Sequence, residues 1–468
     1  MSTPLAAELG AFVAGFDLEA SAHRAELLER ARWLLLDTAG LALVAWTAED
    51  GFAARTASAR AGHLGPCTVI GSPRPLGAPA AAFVNGTLAH GWDFDDFFLD
   101  TIMHCESFAV AAALAVAEEQ QRSGAALLAA IVLACEVSVR LADGAAGEHG
   151  TYSAGFHNTS LFGAFGAAAA AAWLLGLDER EATNALALTA SFASGTSAAW
   201  TLGTGRHKPA QVGWAAHAGI SAAHLAATGY GCPDSTLDGP RGFYEAHTRG
   251  KAPRRAQALA ALGDRWRTMD VGIKLLPCGT LPQPAAQLME EMVATHGIAA
   301  DEVLSVEVVL PDAYAPVLRD VGQSLWRPPT GAASIGSVPC ILARVLLDGS
   351  FWLEHRTDAA VRDPVMLALA DRIELSTAPP APAADPAARP VTITVRTRRG
   401  TFEGRMERDR GHPGVLTRER VIGKFRRTAG AVLDTEAVTA VEDRVLRCDE
   451  AADARSVFGD LHLVAPHC

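Results

Sequence analysis

The chain has 468 residues, about three times the length of an average domain, so two or three domains and a large core are expected. Hydrophobic residues make up 49% of the chain and charged residues 20%, which excludes a mostly disordered protein. The formal net charge of −12 argues against a general affinity for nucleic acid or an anionic membrane, so small molecules are the expected partners.

Helical periodicity dominates the first half of the chain. From Leu5 to about Thr228 apolar residues recur at helical spacing, and alanine fills many of the contact positions. Glycine and alanine in residues 163–172 are expected to let neighbouring helices approach closely. The pattern predicts a helical bundle with helices at residues 4–15, 20–45, 79–90, 107–121, 124–141, 160–175, 178–192 and 209–228.

Two predicted segments, residues 125–141 and 162–177, are strongly apolar, but neither supplies the roughly 20 strongly apolar residues of a membrane span. Both are therefore predicted to be buried core helices. Residues 1–4 include neither a basic region nor an apolar run, so the cytoplasm is the expected location. The eight cysteines are scattered without a C-x-x-C pair, which is typical of reduced thiols.

The pattern changes near residue 269. Alternating segments at residues 303–310 and 391–396 predict strands, and the Pro/Ala-rich residues 377–390 predict a surface loop or linker. Helical spacing returns at residues 416–427 and 435–446. The expected fold is mainly α: residues 1–268 and 407–468 form a large helical domain from both chain ends, and residues 269–406 form a smaller inserted α/β domain.

A polar cluster follows the third predicted helix, where Asp93, Asp95 and Asp96 precede His104. Asp93 is expected near the C-terminal end of that helix, whose negative dipole end favours a protonated acid, so Asp93 is a candidate to hold or accept a proton. Helix capping and hydrogen bonding within the loop are the alternative for all three aspartates.

Two further candidates lie at predicted helix starts. His157 precedes the helix of residues 160–175, whose exposed amides can hold an anion. Lys208 follows Arg206 and His207, and Pro209 after it is a favoured first helical residue. At the positive end of a helix dipole, Lys208 is predicted to bind an anion and to carry a proton.

Lysine is scarce in this chain, which raises the interest of each one. Lysine occurs only at positions 208, 251, 274 and 424, although lysine and arginine together number 40. Lysine, unlike arginine, can lose its proton near neutral pH in a suitable site. Lys274 lies at the predicted domain junction and is a fourth candidate.

Most other catalytic motifs are absent from the sequence, including G-x-S-x-G, G-x-x-x-x-G-K-[ST], H-E-x-x-H and G-x-G-x-x-G. One rival motif is present: Asp95, Asp96 and Asp100 have D-D-x-x-x-D spacing, which on a helix binds Mg²⁺ and diphosphate in class I terpene synthases. Its partner motif N-D-x-x-S-x-x-x-E is missing. A Mg-dependent terpene synthase-like enzyme is kept as an alternative, and no other metal site is predicted.

A set of short motifs along almost the whole chain resembles the MmgE/PrpD family, which includes 2-methylcitrate dehydratase, cis-aconitate decarboxylase and iminodisuccinate epimerase. No single motif is decisive, but together they are specific. They are LLLDTAG at 34–40, AFVNGTLAH at 82–90 followed by DFDD at 93–96, GFH at 155–157, KP at 208–209 with G-x-A-A-x-x-G at 213–219, K-x-x-P at 274–277 and LLDG at 346–349.

The resemblance implies a homodimer, a helical domain with an inserted α/β lid, and catalysis without a metal or organic cofactor. It also implies that the active site includes Asp93, His104, His157, Lys208 and Lys274. The chain departs from the family pattern at Phe97, where relatives have a threonine, at Cys105, where they have a proline, and at Gln283, where they have a histidine. Phe97 and Gln283, with Arg206 and His207, are predicted to contact the substrate, which these departures indicate is non-standard, less charged and larger.

The function implied is a lyase or isomerase that transfers a proton next to a carboxylate of a small carboxylic or polycarboxylic acid. Dehydration, decarboxylation and epimerisation all suit such a site. His157 and Lys208 are assigned to proton transfer, His104 and Lys274 to binding the carboxylate and its developing charge, and Asp93 to orienting or protonating a neighbour. A non-catalytic binding or scaffold member of the family is the remaining alternative.

Overall fold

The computed structural model describes residues 3–48, 64–145, 150–198, 207–379, 388–459 and 461–463. The chain divides into two compact units, Met1–Ile273 with Thr417–Cys468, and Lys274–Leu416. The domain limits expected from the sequence, 268 and 406, fall five and ten residues earlier and stay a prediction. Helices far outnumber strands in the described residues, so the fold is mainly α.

The first unit begins as a helical bundle, and every helix predicted there from periodicity is confirmed, with ends shifted by a few residues. Two short strands that the sequence did not indicate, β1 (Asp96–Phe97) and β2 (Gly272–Ile273), pair antiparallel. The helices are α1 (Leu5–Ala14), α2 (Arg24–Thr47), α3 (Ala78–Ala89), α4 (Glu106–Glu119), α5 (Gly124–Ala145), α6 (Asn158–Leu175), α7 (Glu179–Thr189), α8 (Lys208–Ala227), α9 (Phe243–His247) and α10 (Arg255–Ala258).

Helix α6 lies at the centre of this bundle and packs against both α5 and α8. Small residues make the close packing possible. A Cβ atom added at Gly166 of α6 would lie 2.4 Å from the Ala134 carbonyl oxygen of α5. One added at Gly219 of α8 would lie 2.3 Å from the Ala164 carbonyl oxygen of α6. The predicted role of glycine in close helix approach is therefore confirmed.

Helices α5 and α6 are long and apolar enough to cross a membrane, which corrects the expectation that neither segment reaches that limit. In each of them, 89% of the most apolar window is buried inside the protein. Burial against neighbouring helices is typical of core helices, so their prediction as buried core helices is confirmed.

The second unit combines helices with one four-stranded sheet of order β4-β3-β5-β6. Strands β3 and β4 are parallel, whereas β3–β5 and β5–β6 are antiparallel. Two of these strands were predicted, and the predicted linker at 377–390 lies mostly outside the described residues. The elements are α11 (Gln283–His296), β3 (Val303–Pro311), α12 (Ala315–Val321), α13 (Val338–Asp348), α14 (Pro364–Ala370), β4 (Ile373–Ala378), β5 (Val391–Thr397) and β6 (Gly400–Met406).

The end of the chain belongs to the first unit. Helices α15 (Arg418–Ala429) and α16 (Thr435–Leu446), both predicted, pack against α2. The bundle is therefore formed from segments far apart in the sequence.

Replacing Gly166 by alanine should lower the free energy of unfolding by about 1–3 kcal/mol, because the new methyl group overlaps the Ala134 carbonyl. Gly423 is an exposed residue of α15 with open space around its Cβ position, so Gly423→Ala is the matched control and should be neutral or stabilising. Urea unfolding of both variants measures the difference. Equal stability of Gly166→Ala and wild type would contradict the close packing.

Candidate active site

The loop between α3 and α4 is fixed at both ends. After α3, the Asp93 amide donates to the His90 carbonyl at 3.0 Å, and Asp93 takes a left-handed backbone with φ of 48°. Aspartate is among the few residues that tolerate this conformation. Before α4, the Asp96 carboxylate accepts hydrogen bonds from the amides of Cys105 at 2.5 Å and Glu106 at 3.0 Å. Asp96 therefore caps α4, as the alternative interpretation of these aspartates expected.

His104 is held by two hydrogen bonds that set its orientation. Its backbone amide donates to the Thr159 hydroxyl at 3.0 Å, and its Nδ1 lies 2.6 Å from the Asp96 carbonyl oxygen. A carbonyl oxygen only accepts, so Nδ1 carries a proton. Nε2 then lies 3.8 Å from Oδ1 of Asp93. The arrangement suits either a neutral imidazole with a basic Nε2 or a cation facing Asp93.

Lys208 is the first residue of α8 and forms an ion pair with Asp93. Its Nζ donates to Asp93 Oδ2 at 2.7 Å, and the two side chains are only 13% and 14% exposed. One Asp93 carboxylate therefore binds an ammonium through Oδ2 and faces the His104 imidazole through Oδ1. The structure brings together these three predicted residues from distant parts of the chain.

His157 lies just before α6 and is buried. The Gln211 amide nitrogen donates to the Thr196 carbonyl at 3.1 Å, so its oxygen faces His157 Nδ1 at 2.8 Å. Nδ1 is then the donor, and Nε2 keeps its lone pair. Burial, followed by the nearby charges of Lys208, His90 and His104, holds the pKa of His157 well below its usual value. His157 is thus a neutral imidazole at neutral pH.

A second set of polar residues adjoins these side chains; of its members only Asp95 was considered as functional, in the terpene synthase-like alternative. His90 is fully buried, and its Nδ1 is 2.6 Å from Asp95 Oδ2, which also accepts from the Ser107 hydroxyl at 2.7 Å. The His90 ring centroid lies 5.1 Å from that of His104 and 6.0 Å from that of His157. In the sequence, only their place in the polar motif could have indicated His90 and Asp95 as part of the site. No sequence feature indicated Ser107 or Gln211.

Asp93, Asp95 and His104 each offer a metal-ligand atom, and these atoms lie within 4.8 Å of one another. Their hydrogen-bond partners do not suit a cation. The Lys208 ammonium contacts Asp93, and His90 and Ser107 both bind Asp95 Oδ2. A metal ion would meet a positive charge and would compete with buried hydrogen bonds.

The terpene synthase-like alternative is wrong in its central assumption. Asp95, Asp96 and Asp100 lie in a loop, a short strand and a turn instead of on a helix. Asp95 and Asp96 are buried and hydrogen-bonded, and Asp100 is exposed and pairs with Arg267 at 3.2 Å. The three carboxylates therefore do not share the helix face that this motif needs.

The remaining predicted residues are placed separately. Phe97 is buried in β1, and His207 is exposed just before α8. Arg206 lies outside the described residues. Lys274, the first residue of the second unit, is buried and directly follows Ile273, whose strand partner is Asp96.

Gln283 lies in the second unit, where its side chain forms hydrogen bonds to the loop that follows Lys274. Its side-chain oxygen accepts from the amides of Leu275 and Leu276, both at 3.2 Å. Its side-chain nitrogen donates to the carbonyls of Leu276 at 2.6 Å and Cys278 at 3.1 Å. These bonds give Gln283 a positioning role, and its contact with a substrate stays a prediction.

The pKa of His157 should be measurable by ¹⁵N NMR of histidine-labelled protein. We expect His157 to remain a neutral imidazole, with its one ring proton on Nδ1, when the pH is lowered to 6.5, the usual pKa of histidine. Lys208→Met removes one nearby charge, so the pKa should rise yet stay below 6.5, because burial is the larger cause. Lys251→Met, at an exposed position, is the control. Half-protonation of wild-type His157 at or above pH 6.5 would contradict this assignment.

Comparison with known proteins gives relatives along nearly the full chain. The cis-aconitate decarboxylase-like protein oryM of Aspergillus oryzae is 28% identical over 469 residues, covering 94% of each chain. Cis-aconitate decarboxylase of Aspergillus terreus is 26% identical over 450 residues, covering 92% of this chain and 90% of its own. Cis-aconitate decarboxylase of Homo sapiens is 27% identical over 438 residues, covering 91% and 88%.

Two family models match the chain in succession. The MmgE/PrpD N-terminal domain matches residues 7–256, and the MmgE/PrpD C-terminal domain matches residues 276–448. The resemblance inferred from the short motifs is confirmed, and the chain belongs to the MmgE/PrpD family.

Proposed function

We propose that this protein is a cofactor-independent lyase that moves a proton at a carbon next to a carboxylate of a small carboxylic acid. The observation that carries the proposal is a buried His157 whose Nε2 is the acceptor nitrogen, in one cluster with the His104 ring that faces the Asp93–Lys208 ion pair. A base and an ammonium acid in one buried site are the two groups that such chemistry needs. Decarboxylation is the favoured reaction, because the relatives reported above carry that name.

In decarboxylation, the bond between a carboxylate carbon and its neighbour breaks. Carbon dioxide leaves, and the electron pair stays on the remaining carbon framework. The Lys208 ammonium, oriented by Asp93 at 2.7 Å, gives that carbon a proton and regains one from solvent. Dehydration or epimerisation begins instead with loss of a proton from carbon, for which His157 Nε2 is the base.

The negative charge that develops on the substrate needs positive partners. His104, facing Asp93 and protonated at Nδ1, and Lys274 are assigned to binding the carboxylate and this charge. The family resemblance supports the assignment of Lys274. It also supports a lid role for the second unit, a homodimer and catalysis without a metal. The free cysteines of the described residues support a cytoplasmic location.

The direct test is incubation of the protein in deuterated water with a panel of small polycarboxylates and their alkyl or amino analogues, followed by NMR. We expect deuterium at a carbon next to a carboxylate, with or without loss of carbon dioxide, and the same rate in EDTA. Loss of turnover in EDTA that Mg²⁺ restores would contradict the metal-free mechanism. A protein that binds an acid but exchanges no proton would favour the non-catalytic alternative.

Lys208→Arg should lower turnover by about 10²-fold or more, because arginine keeps the charge but does not release a proton near neutral pH. Lys251→Arg makes the same change at an exposed position and should leave turnover unaltered. Steady-state kinetics separate the roles, since loss of apparent affinity alone would indicate that Lys208 only binds a carboxylate. Near-normal kinetics in both Lys208→Arg and Lys208→Ala would reject the site.

Phe97→Thr should shift substrate preference toward a more polar acid. The phenyl ring fills space and offers no hydrogen bond, whereas threonine restores the hydroxyl expected at this position of the family. Relative kcat/KM values across the acid panel measure the shift. Phe108, buried in α4, is the control position, and Phe108→Leu should leave the preference unchanged. An unchanged profile in Phe97→Thr would place the ring outside the substrate pocket.

A further inference from the structure

Helix α15 places one lysine in the interior of the first unit. The Lys424 side chain is 1% exposed, and its Nζ donates to Asp37 Oδ2 of α2 at 2.6 Å. The same Nζ donates to the Phe94 carbonyl oxygen at 2.6 Å and lies 4.0 Å from the centroid of the Phe94 ring. One ammonium therefore joins the end of the chain, a helix near its start and the loop between α3 and α4.

The Phe94 carbonyl lies in that loop between two residues of the polar cluster, Asp93 and Asp95. Its peptide group connects Phe94 to Asp95, and the preceding residue is Asp93 with its left-handed backbone. Movement of this peptide therefore moves both the partner of Lys208 and the partner of His90. Lys424 reaches this loop through a main-chain atom, the Phe94 carbonyl oxygen, which lies between Asp93 and Asp95.

Stability alone does not account for this buried pair. Burial raises the pKa of Asp37 even though the Lys424 ammonium acts in the opposite direction. Burial, with the charges of Asp37 and Asp96, also raises the pKa of Glu106 well above its usual value. A well-packed apolar pair often stabilises a core as well as a buried ion pair does. What an apolar side chain lacks is a donor for the Phe94 carbonyl.

We infer that Lys424 is a positioning residue of the active site, which holds the Phe94 carbonyl and thereby sets the places of Asp93 and Asp95. The inference rests on the proposed function for its kinetic consequence, whereas its structural consequence is independent of any substrate. Lys424 does not touch the reacting atoms.

The test compares three variants. Lys424→Met alone leaves the Asp37 carboxylate buried without its cation and should lower Tm strongly or prevent folding. Asp37→Asn with Lys424→Met removes both charges and should return Tm close to the wild-type value. In that double variant kcat should fall about 10-fold or more, because a small displacement of a catalytic group slows the reaction steeply. Asp37→Asn alone retains the lysine donor and should keep most of the turnover.

Lys208 gives a readout that needs no substrate. With only four lysines in the chain, ¹⁵N NMR of lysine-labelled protein should resolve the Lys208 ammonium, with exposed Lys251 as the internal control. We expect its protons to exchange faster, and its signal to shift, in the double variant, because the Asp93 partner is displaced. This result holds even if no acid in the panel is a substrate, so it separates failure of this inference from failure of the proposed function.

A folded double variant with wild-type Lys208 signals would overturn the inference, whatever its activity. If the double variant does not fold, Asp37→Asn with Lys424→Gln serves instead, because the glutamine amide supplies a neutral donor to the carbonyl. We expect the Lys208 signals of that variant to resemble those of wild type. Displaced Lys208 signals in that variant, when a cooperative Tm shows that it is folded, would also overturn the inference.

Discussion

The arrangement of the proposed active site depends on the ion pair between Asp93 and Lys208. Each side chain is largely buried, and a buried charge is tolerated only when an opposite charge or several hydrogen bonds compensate for lost water. The pair therefore allows an ammonium to lie near a neutral imidazole, His157, inside a helical protein. The same carboxylate faces His104, so its position affects both Lys208, the proposed acid, and His104, the proposed carboxylate-binding residue.

The packing of α6 against α8 provides the setting for this pair. Both helices start in the same region, as the hydrogen bond from His157 to Gln211 near their first turns shows. Further along, Gly219 allows the helices to come into backbone contact. Helix starts carry unpaired amides and the positive end of the dipole, so two of them together favour negative charge. This field agrees with the carboxylate substrate that we propose.

Sequence periodicity was sufficient for α1–α8, α15 and α16, because the buried residues of each give a local signal, but it did not indicate α9–α14. It was not sufficient for β1 and β2, since a two-residue strand has no periodicity to detect. Residue spacing also gave a wrong prediction for Asp95, Asp96 and Asp100. The motif assumes that they share one helix, whereas they lie between α3 and α4, and Asp96 caps α4. The family motifs supplied Asp93, His104, His157 and Lys208, and the structure adds how Asp93 links two of them.

The supporting residues were beyond the reach of sequence reasoning for a different reason. Ser107 and Gln211 lie in the first turns of α4 and α8, and nothing in their neighbours distinguishes a structural hydroxyl or amide from one that orients a histidine. Asp37 and Lys424 are separated by 387 positions, so no spacing rule relates them. Only packing of α15 against α2 shows that the two charges compensate each other.

The late position of Lys424 in the chain has a consequence for biosynthesis. A ribosome releases residues in order, and N-terminal segments begin to fold before the rest is made. The bundle up to α8 can therefore collapse while α15 is still untranslated, with Asp37 lacking the cation that it meets in the finished protein. The hydrogen bond from Lys424 to the Phe94 carbonyl therefore forms only once α15 has been synthesised, so the loop between α3 and α4 receives this contact from a segment made long after it.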